Sequence, residues 1–265
     1  MMPKLYAELS TWWPLLSPPD DYLDEANFFH QVLASAGLPP APTLLELGSG
    51  GGNNAVHLKA CFAQVTLTDL SPQMLAVSRA LNPDCEHLVG DMRTLRLGRS
   101  FDVVFIHDAI DYMTTRRDLR LALETAFLHC APGGLALVAP DYVRETFRPS
   151  TDHGGSDGGG ARAMRYLEWT YDPDDTDTTY TVEYAYLLRE NDGPAWIEHD
   201  RHINGLFPRA EWVRLLREVG FRPEITHDQY ERDVFVARRP VDSKHGAGQQ
   251  SAAPGAGDRN ESRNH

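Results

Sequence analysis

An acid followed by a run of glycines, Glu46-Leu47-Gly48-Ser49-Gly50-Gly51-Gly52, could hold a ligand against bare backbone. Where an apolar strand turns sharply into a helix, a side chain would keep a ligand away from the backbone amides and from the positive end of that helix. Gly48, Gly50 and Gly52 fit the spacing G-x-G-x-G, whereas the dinucleotide spacing G-x-G-x-x-G is broken by Asn53. Asp69 closes the next apolar run, and its obvious structural use, capping the following helix, is already served by Ser71 ahead of Pro72. That leaves its carboxylate for a ligand. His107 and Asp108 follow the run Phe101–Ile106, at the carboxyl end of a predicted central strand, where doubly wound sheets take their ligands. His107 can serve there as a general base or be a packed histidine bonded only locally. Tyr180, Val182, Tyr184 and Tyr186 alternate along another predicted strand, so three phenols share one face, lining either a substrate chamber or the core. Asp172, Asp174 and Glu183 are spaced loosely like a calcium loop, but Asp177 holds the position that requires glycine, so no metal site is expected.

The elements that must position these residues alternate regularly. Strand-like runs at Thr43–Leu47, Gln64–Asp69, Glu86–Val89, Phe101–Ile106 and Leu135–Ala139 are separated by helical patterns ending near Ala60 and spanning Pro72–Leu81 and Arg116–His129. Strands joined by helical crossovers build a parallel sheet buried on both faces, so the fold class is α/β. Ahead of them, residues 1–37 carry an amphipathic helix over Asp20–Ala36 with Gly37 just past its end. Residues 38–240 form the main domain. Its rhythm breaks at Pro140, and residues 140–205 read as an insertion over the carboxyl edge of the sheet. Within it, Ser150–Ala161 is too rich in glycine to pack and is expected to be a mobile surface loop, followed by an antiparallel pair, Thr179–Arg189 and Trp196–Ile203. Pro208 opens a further helix that Gly220 ends, and Val234–Ala237 is suited to close the sheet. Residues 241–265 show no periodicity and are expected to be a disordered tail, removable after Pro240 without loss of melting temperature or turnover.

The 265 residues carry a formal net charge of −13, which argues against nucleic acid as the main partner because phosphate binding relies on clustered Lys and Arg. Fourteen acids and five bases fall between Asp141 and Asp200, a bias that suits a cationic ligand or is simply a solvated acidic surface. No uncharged stretch reaches the roughly 18 residues a membrane span needs, and the first residues lack a signal-peptide run. Cys61, Cys85 and Cys130 are odd in number and set in apolar surroundings, as reduced core cysteines would be. The expectation is a cytoplasmic protein without membrane contact, acting on a small molecule; the sequence specifies no oligomeric state.

The segments Leu44–Asn54, Val65–Ser71, Val89–Leu95, Phe101–Asp108 and Ala131–Val138 resemble, in order, the motifs of class I S-adenosylmethionine-dependent methyltransferases of the small-molecule type. The resemblance covers roughly Thr43 to Ala139. It implies a doubly wound, mostly parallel seven-stranded sheet of the Rossmann-like kind, an N-terminal helical lid, an antiparallel β insertion covering the substrate, and S-adenosylmethionine as cofactor. It implies cofactor-binding roles for Glu46, Gly48, Gly50 and Gly52, for Asp69 with Leu70 at the ribose, for Asp91 and Met92 at the adenine, and for Ile106 and His107 at the methionine end. Gly133 and Gly134 would be structural. Tyr6, Trp12, Trp13 and Tyr22 would belong to the lid and, with Tyr184 and Tyr186, meet the substrate; plain packing of aromatics onto the sheet is the alternative. Glu198–Phe207 is similar to a late strand of small-molecule members, the aminosugar N-methyltransferases among them, and makes His199 and His202 catalytic candidates beside His107. Three apart on a strand, the two face opposite ways and cannot share a metal. The tetrad found after the fourth strand of adenine and amide methyltransferases is absent, its place taken by His107, Asp108, Ala109 and Ile110.

Methyl transfer needs the acceptor held about 3 Å from the sulfonium carbon, and such positioning can supply roughly 7–11 kcal/mol, so a catalytic side chain is optional. A neutral amine already carries its lone pair, whereas an aliphatic hydroxyl needs a base or a metal. The reading is therefore methyl transfer to a nitrogen of a small metabolite, with an O-methyltransferase using a histidine base as the alternative. A nicotinamide-dependent oxidoreductase and a non-catalytic module of the same fold are further alternatives.

Overall fold

The computed structural model describes residues 2–158 and 161–241. Short 3-10 turns and the single-turn helix α1 (Trp13–Leu16) lead to a 3-10 turn at Pro19–Tyr22 and then α2 (Leu23–Ala34), so the first long helix starts later than its acidic first turn predicts. The predicted alternation follows: β1 (Thr43–Leu47), α3 (Asn53–Leu58), β2 (Gln64–Asp69), α4 (Pro72–Leu81), β3 (Glu86–Val89), β4 (Phe101–Ile106), α5 (Arg116–His129) and β5 (Cys130–Val138). These five strands lie parallel in the order β5-β4-β1-β2-β3. The chain winds outward from β1 to β3 and returns to the other side of β1 at β4, which opens a crevice at the carboxyl ends of β1 and β4.

Leu45 and Leu47 of β1 and Val104 and Ile106 of β4 enter one core cluster with α5, whereas Leu44, Val103 and Phe105 enter another with α2 and α3. Both faces are dry, and that is why these strands read as near-continuous apolar runs. The Ser71 hydroxyl accepts from the Met74 N–H at 3.1 Å and starts α4, with Pro72 in its first turn. Thr115 caps α5 in the same way.

The insertion differs from expectation. It forms a four-stranded antiparallel sheet in sequence order, β6 (Ser150–Ser156), β7 (Arg162–Tyr171), β8 (Thr179–Glu190) and β9 (Trp196–Gly205). The glycine-rich run predicted to be a loop supplies β6. An edge strand needs backbone partners on one side only, and glycine lets it pass close to β7: a Cβ on Gly154 would lie 2.8 Å from the Tyr166 ring. In β7, Arg165 and Glu168 interrupt the apolar residues and hide the strand.

α6 (Arg209–Glu218) follows Pro208 as predicted and stops before Gly220, whose φ is 112°. Next come β10 (Arg222–His227), which has no counterpart among the predicted elements, and β11 (Asp233–Arg238). β11 does not close the sheet. It inserts between β10 and β5, antiparallel to both, and completes a seven-stranded sheet in the order β10-β11-β5-β4-β1-β2-β3. Cys130 is a core residue, but Cys61 and Cys85 are only partly buried. The proposed tail, 241–265, lies beyond the described residues except for Val241. No described helix is long and apolar enough to cross a membrane.

Candidate active site

A cavity of about 880 Å³ opens over the carboxyl ends of β1, β2 and β4, with the N-terminal turns and the inner face of the β6–β9 sheet as its other walls. On the strand side, Gly48 and Gly50 take φ values of 79° and 51°, which side-chain-bearing residues rarely adopt. A Cβ on Gly48 would also lie 2.8 Å from Met92 Cε, and one on Gly51 would press into the Trp13 ring. The Gly50 N–H donates to Asp69 Oδ2 at 2.8 Å and the Ser71 N–H to Asp69 Oδ1 at 2.8 Å, so the carboxylate ties down the loop while still facing the cavity with lone pairs to spare. Burial pushes the Asp69 pKa up against these backbone donors. Glu46 is only 3% exposed, and its Oε2 has no partner. Burial pushes this carboxyl up to about 8, with His107 pulling the other way. Asp91 and Met92 line the same wall, and Asp91 accepts from the Arg93 backbone N–H at 2.8 Å and its guanidinium at 2.6 Å. Leu70 lies at the rim, 53% exposed.

Two expected cofactor contacts are absent from this wall. Gly52 turns away: the space beside its Cα is filled by Ser78 and Asn82, and its carbonyl accepts from Asn82 Nδ2 at 2.9 Å. Ile106 is fully buried in the core, with its carbonyl taken by the Ala139 N–H at 2.9 Å. Both serve the strand-to-helix packing instead.

Across the cavity, Tyr6, Trp13, Tyr22 and Tyr184 line the wall, but Trp12 and Tyr186 do not. Trp12 is 4% exposed and sits between Trp196 and the Arg162 guanidinium. Tyr186 is buried behind Tyr184, stacked at 5.2 Å. These two take the packing role. As the strand period requires, His199 and His202 diverge. His199 points outward and pairs with Glu183 at 2.6 Å, whereas His202 is buried against the cavity, 2.7 Å from the Tyr112 hydroxyl through Nδ1. No group of described residues could hold a metal.

His107 forms part of the floor, 3.2 Å from Glu25 Oε2 and 3.1 Å from Asp108 Oδ2. Burial alone would lower its pKa, but these two carboxylates raise it well above 6.5. Carboxylates on both sides favour the imidazolium over a ring nitrogen with a lone pair to offer as a base. Arg232, on the turn before β11 and not itself lining the cavity, holds its guanidinium 2.5 Å from Glu25, 2.7 Å from Asp228 and 3.7 Å from both Asp108 and Asp141. Glu25, Tyr112, Asp141 and Arg232 were not singled out from sequence. Tyr112, six residues past the end of β4, could have been sought in the crevice; nothing local marks Arg232.

Residues 44–134 match the family described as "Methyltransferase domain". The Streptomyces fradiae enzyme dTDP-3-amino-3,6-dideoxy-alpha-D-glucopyranose N,N-dimethyltransferase is 30% identical over 188 residues, which is 70% of this chain and 72% of that one. The chain belongs to the S-adenosylmethionine-dependent methyltransferases. Among solved structures, the methyltransferase is similar to Streptomyces venezuelae DesVI, with 27% identity and a TM-score of 0.73 over 83% of this chain and 92% of that one. It is similar also to S-adenosylmethionine-bound CalS10, an amino pentose methyltransferase from Micromonospora echinaspora, with 25% identity and a TM-score of 0.72 over 82% of this chain and 91% of that one. The residues present fit the cofactor. The unpartnered Glu46 oxygen seeks a donor or a cation, the left-handed glycines leave the loop bare, and Asp69 offers acceptors to hydroxyls. When bound, the cofactor supplies an electrophilic methyl group on sulfur. The nicotinamide reading and the non-catalytic reading are thereby set aside.

Proposed function

We propose that the enzyme methylates the amine nitrogen of a small, sugar-like metabolite in the cytoplasm, with residues 1–37 as a lid and 140–205 as the cover of the acceptor. The observation that carries this is the character of the acceptor wall. Asp108, Asp141 and Glu168 border it among Tyr142, Tyr166, Tyr180 and Tyr184. The two arginines that border the cavity are engaged, Arg93 with Asp91 at 2.6 Å and Arg201 with Glu183 at 3.1 Å. With Asp108 beside His107 and Arg232, and Asp141 beside Arg232, Glu168 is the one of the three acids without an ion pair among the described residues. Such a wall draws a cationic amine, and phenols suit the faces and hydroxyls of a sugar. The relatives with aminosugar acceptors in their names support the same reading. On this reading Glu46, Gly48, Gly50, Asp69, Leu70, Asp91 and Met92 hold the cofactor, and Tyr6, Trp13, Tyr22 and Tyr184 meet the acceptor. The two carboxylates beside His107, which favour its imidazolium form, speak against O-methylation with that residue as base. The test is transfer of radiolabelled methyl from S-adenosylmethionine to a panel of aminosugars and their hydroxyl counterparts. Label should enter the amino compounds, with turnover rising towards the amine's own pKa; label entering the hydroxyl counterparts instead would overturn the reading.

A further inference from the structure

Four polar side chains, from three segments distant in sequence, form one unbroken hydrogen-bonded line running from the cavity into the cover sheet. The Tyr6 hydroxyl is 3.0 Å from that of Tyr112, the Tyr112 hydroxyl is 2.7 Å from His202 Nδ1, and His202 Nε2 is 3.2 Å from Asp200 Oδ2. Tyr6, Tyr112 and His202 all border the cavity, whereas Asp200 lies behind them, 5% exposed. Asp200 is held in place by the Leu5 N–H at 2.9 Å, one residue before Tyr6, so the carboxylate at one end of the line fixes the backbone beside the phenol at the other.

We propose that Tyr6, Tyr112, His202 and Asp200 form a proton path that deprotonates an ammonium acceptor before methyl transfer, with Tyr112 as the positioning residue that joins the acceptor-facing phenol to His202. The proposal rests on the amine reading given above. At rest the Tyr112 hydroxyl donates to that of Tyr6; for transfer the two hydroxyls turn, so that Tyr6 donates to Tyr112, Tyr112 donates to Nδ1 of neutral His202, and Nε2–H donates to Asp200. The Tyr6 oxygen is then free to accept an N–H from an ammonium in the cavity. As that proton moves to the Tyr6 oxygen, the original Tyr6 proton passes to Tyr112 and the Tyr112 proton passes to Nδ1. One N–H bond of the acceptor breaks and one N–H bond of His202 forms. Both phenols end neutral, and the acceptor nitrogen keeps the electron pair it needs for attack. The imidazolium left behind is balanced by Asp200.

The surroundings favour passing a proton over storing charge on a phenol. Burial drives both hydroxyls far above 10, so neither Tyr6 nor Tyr112 rests as phenolate. The titratable groups facing the path are Tyr184 against His202, Lys4 and Tyr186 near Asp200, Tyr180 and Tyr184 near Tyr112, and Tyr22, Asp69 and Asp108 near Tyr6.

Tyr112→Phe keeps the ring and removes the link. With the aminosugar that takes label in the panel, kcat at pH 7 should fall by about 10- to 100-fold, up to the lower end of what a lost acid–base group costs. KM and cofactor affinity should stay within about threefold of wild type, and the gap in kcat should close as the pH passes the amine's pKa and solvent does the deprotonating. Tyr6→Phe should show the same pH-dependent recovery. An equal loss at every pH, or no loss, overturns the path and leaves the amine reading standing; label in the hydroxyl compounds overturns the amine reading itself. Should Tyr112→Phe fail to fold, nitrogen-15 NMR of His202 in the wild-type enzyme decides. The path requires the Nε2–H tautomer when His202 is neutral, and the Nδ1–H tautomer overturns it.

Discussion

The two walls of the cavity are assembled over very different lengths of chain. On the cofactor wall, Glu46, Gly48 and Gly50 fall within five residues, and Asp69 meets partners 19 and 2 residues away. On the acceptor wall, Leu5 meets Asp200 across 195 residues, Tyr6 meets Tyr112 across 106, and Tyr112 meets His202 across 90. Strand-to-helix turn chemistry builds the first wall locally, so the same spacing suits any acceptor. The second exists only once the N-terminal turns and the inserted sheet have packed, which leaves its residues free to differ between enzymes that share the first.

If the walls are separable in this way, mutations should sort between them. The largest effect is expected for Trp12→Ala, which removes a buried ring from the cluster joining the N-terminal turns to the inserted sheet, at a cost of about 3–5 kcal/mol of stability. Thermal unfolding should show that loss, acceptor KM should rise, and cofactor affinity should stay within about threefold; a parallel loss of cofactor affinity would mean the walls form one unit. Asp69→Ala should act on the other wall, weakening S-adenosylmethionine by about 1.5–3 kcal/mol in a calorimetric titration. Unchanged affinity in the folded variant would falsify the assignment of Asp69. Glu46 gives a pH signature. Its native pKa, about 8, lies above the 4.5 of the free group, so its contribution to stability is full below 4.5 and is lost as the pH rises through 8. In the cofactor-free protein Glu46→Gln should flatten the decline of unfolding free energy over that window by up to about 1.4 kcal/mol per pH unit, and a decline identical to wild type would show that Glu46 is ionised throughout. The smallest effect belongs to His199→Asn. With its ring turned outward to Glu183, turnover should change by less than about twofold at any pH, and a larger loss would place the outer face of β9 in the reaction.

What was legible in the sequence follows the same division. The spacing of Gly48 and Gly50, the spare carboxylate of Asp69, and the run of parallel strands depend on turn geometry and on burial of both sheet faces, which leave marks within a few residues. The opposite facing of His199 and His202 was also readable, because strand alternation is local. Trp12 and Tyr186 could not be told from Trp13 and Tyr184, since aromatic content is the same in a wall and in the packing behind it. His107 was placed correctly at the end of β4, but its charge is set by Glu25 and Asp108 together, and Glu25 belongs to a helix more than eighty residues away. β6 was hidden for a different reason: an edge strand held by backbone bonds needs no side-chain pattern to announce it.

β11 has a consequence for how the enzyme is made. It is the last described strand to leave the ribosome, yet it lies inside the sheet, pairing Phe235 with Val138 across 97 residues. At roughly 5–20 residues per second, β5 waits on the order of 5–20 s with an unpaired apolar edge on the nascent chain. During that interval the edge is open to pairing with strands of other chains, which makes translation the period of greatest aggregation risk. Arg232 arrives just ahead of β11, so Glu25, Asp108 and Asp141 lack its guanidinium until that point of synthesis. The synthesis that leaves the edge vulnerable also keeps the pocket unfinished until that edge is covered.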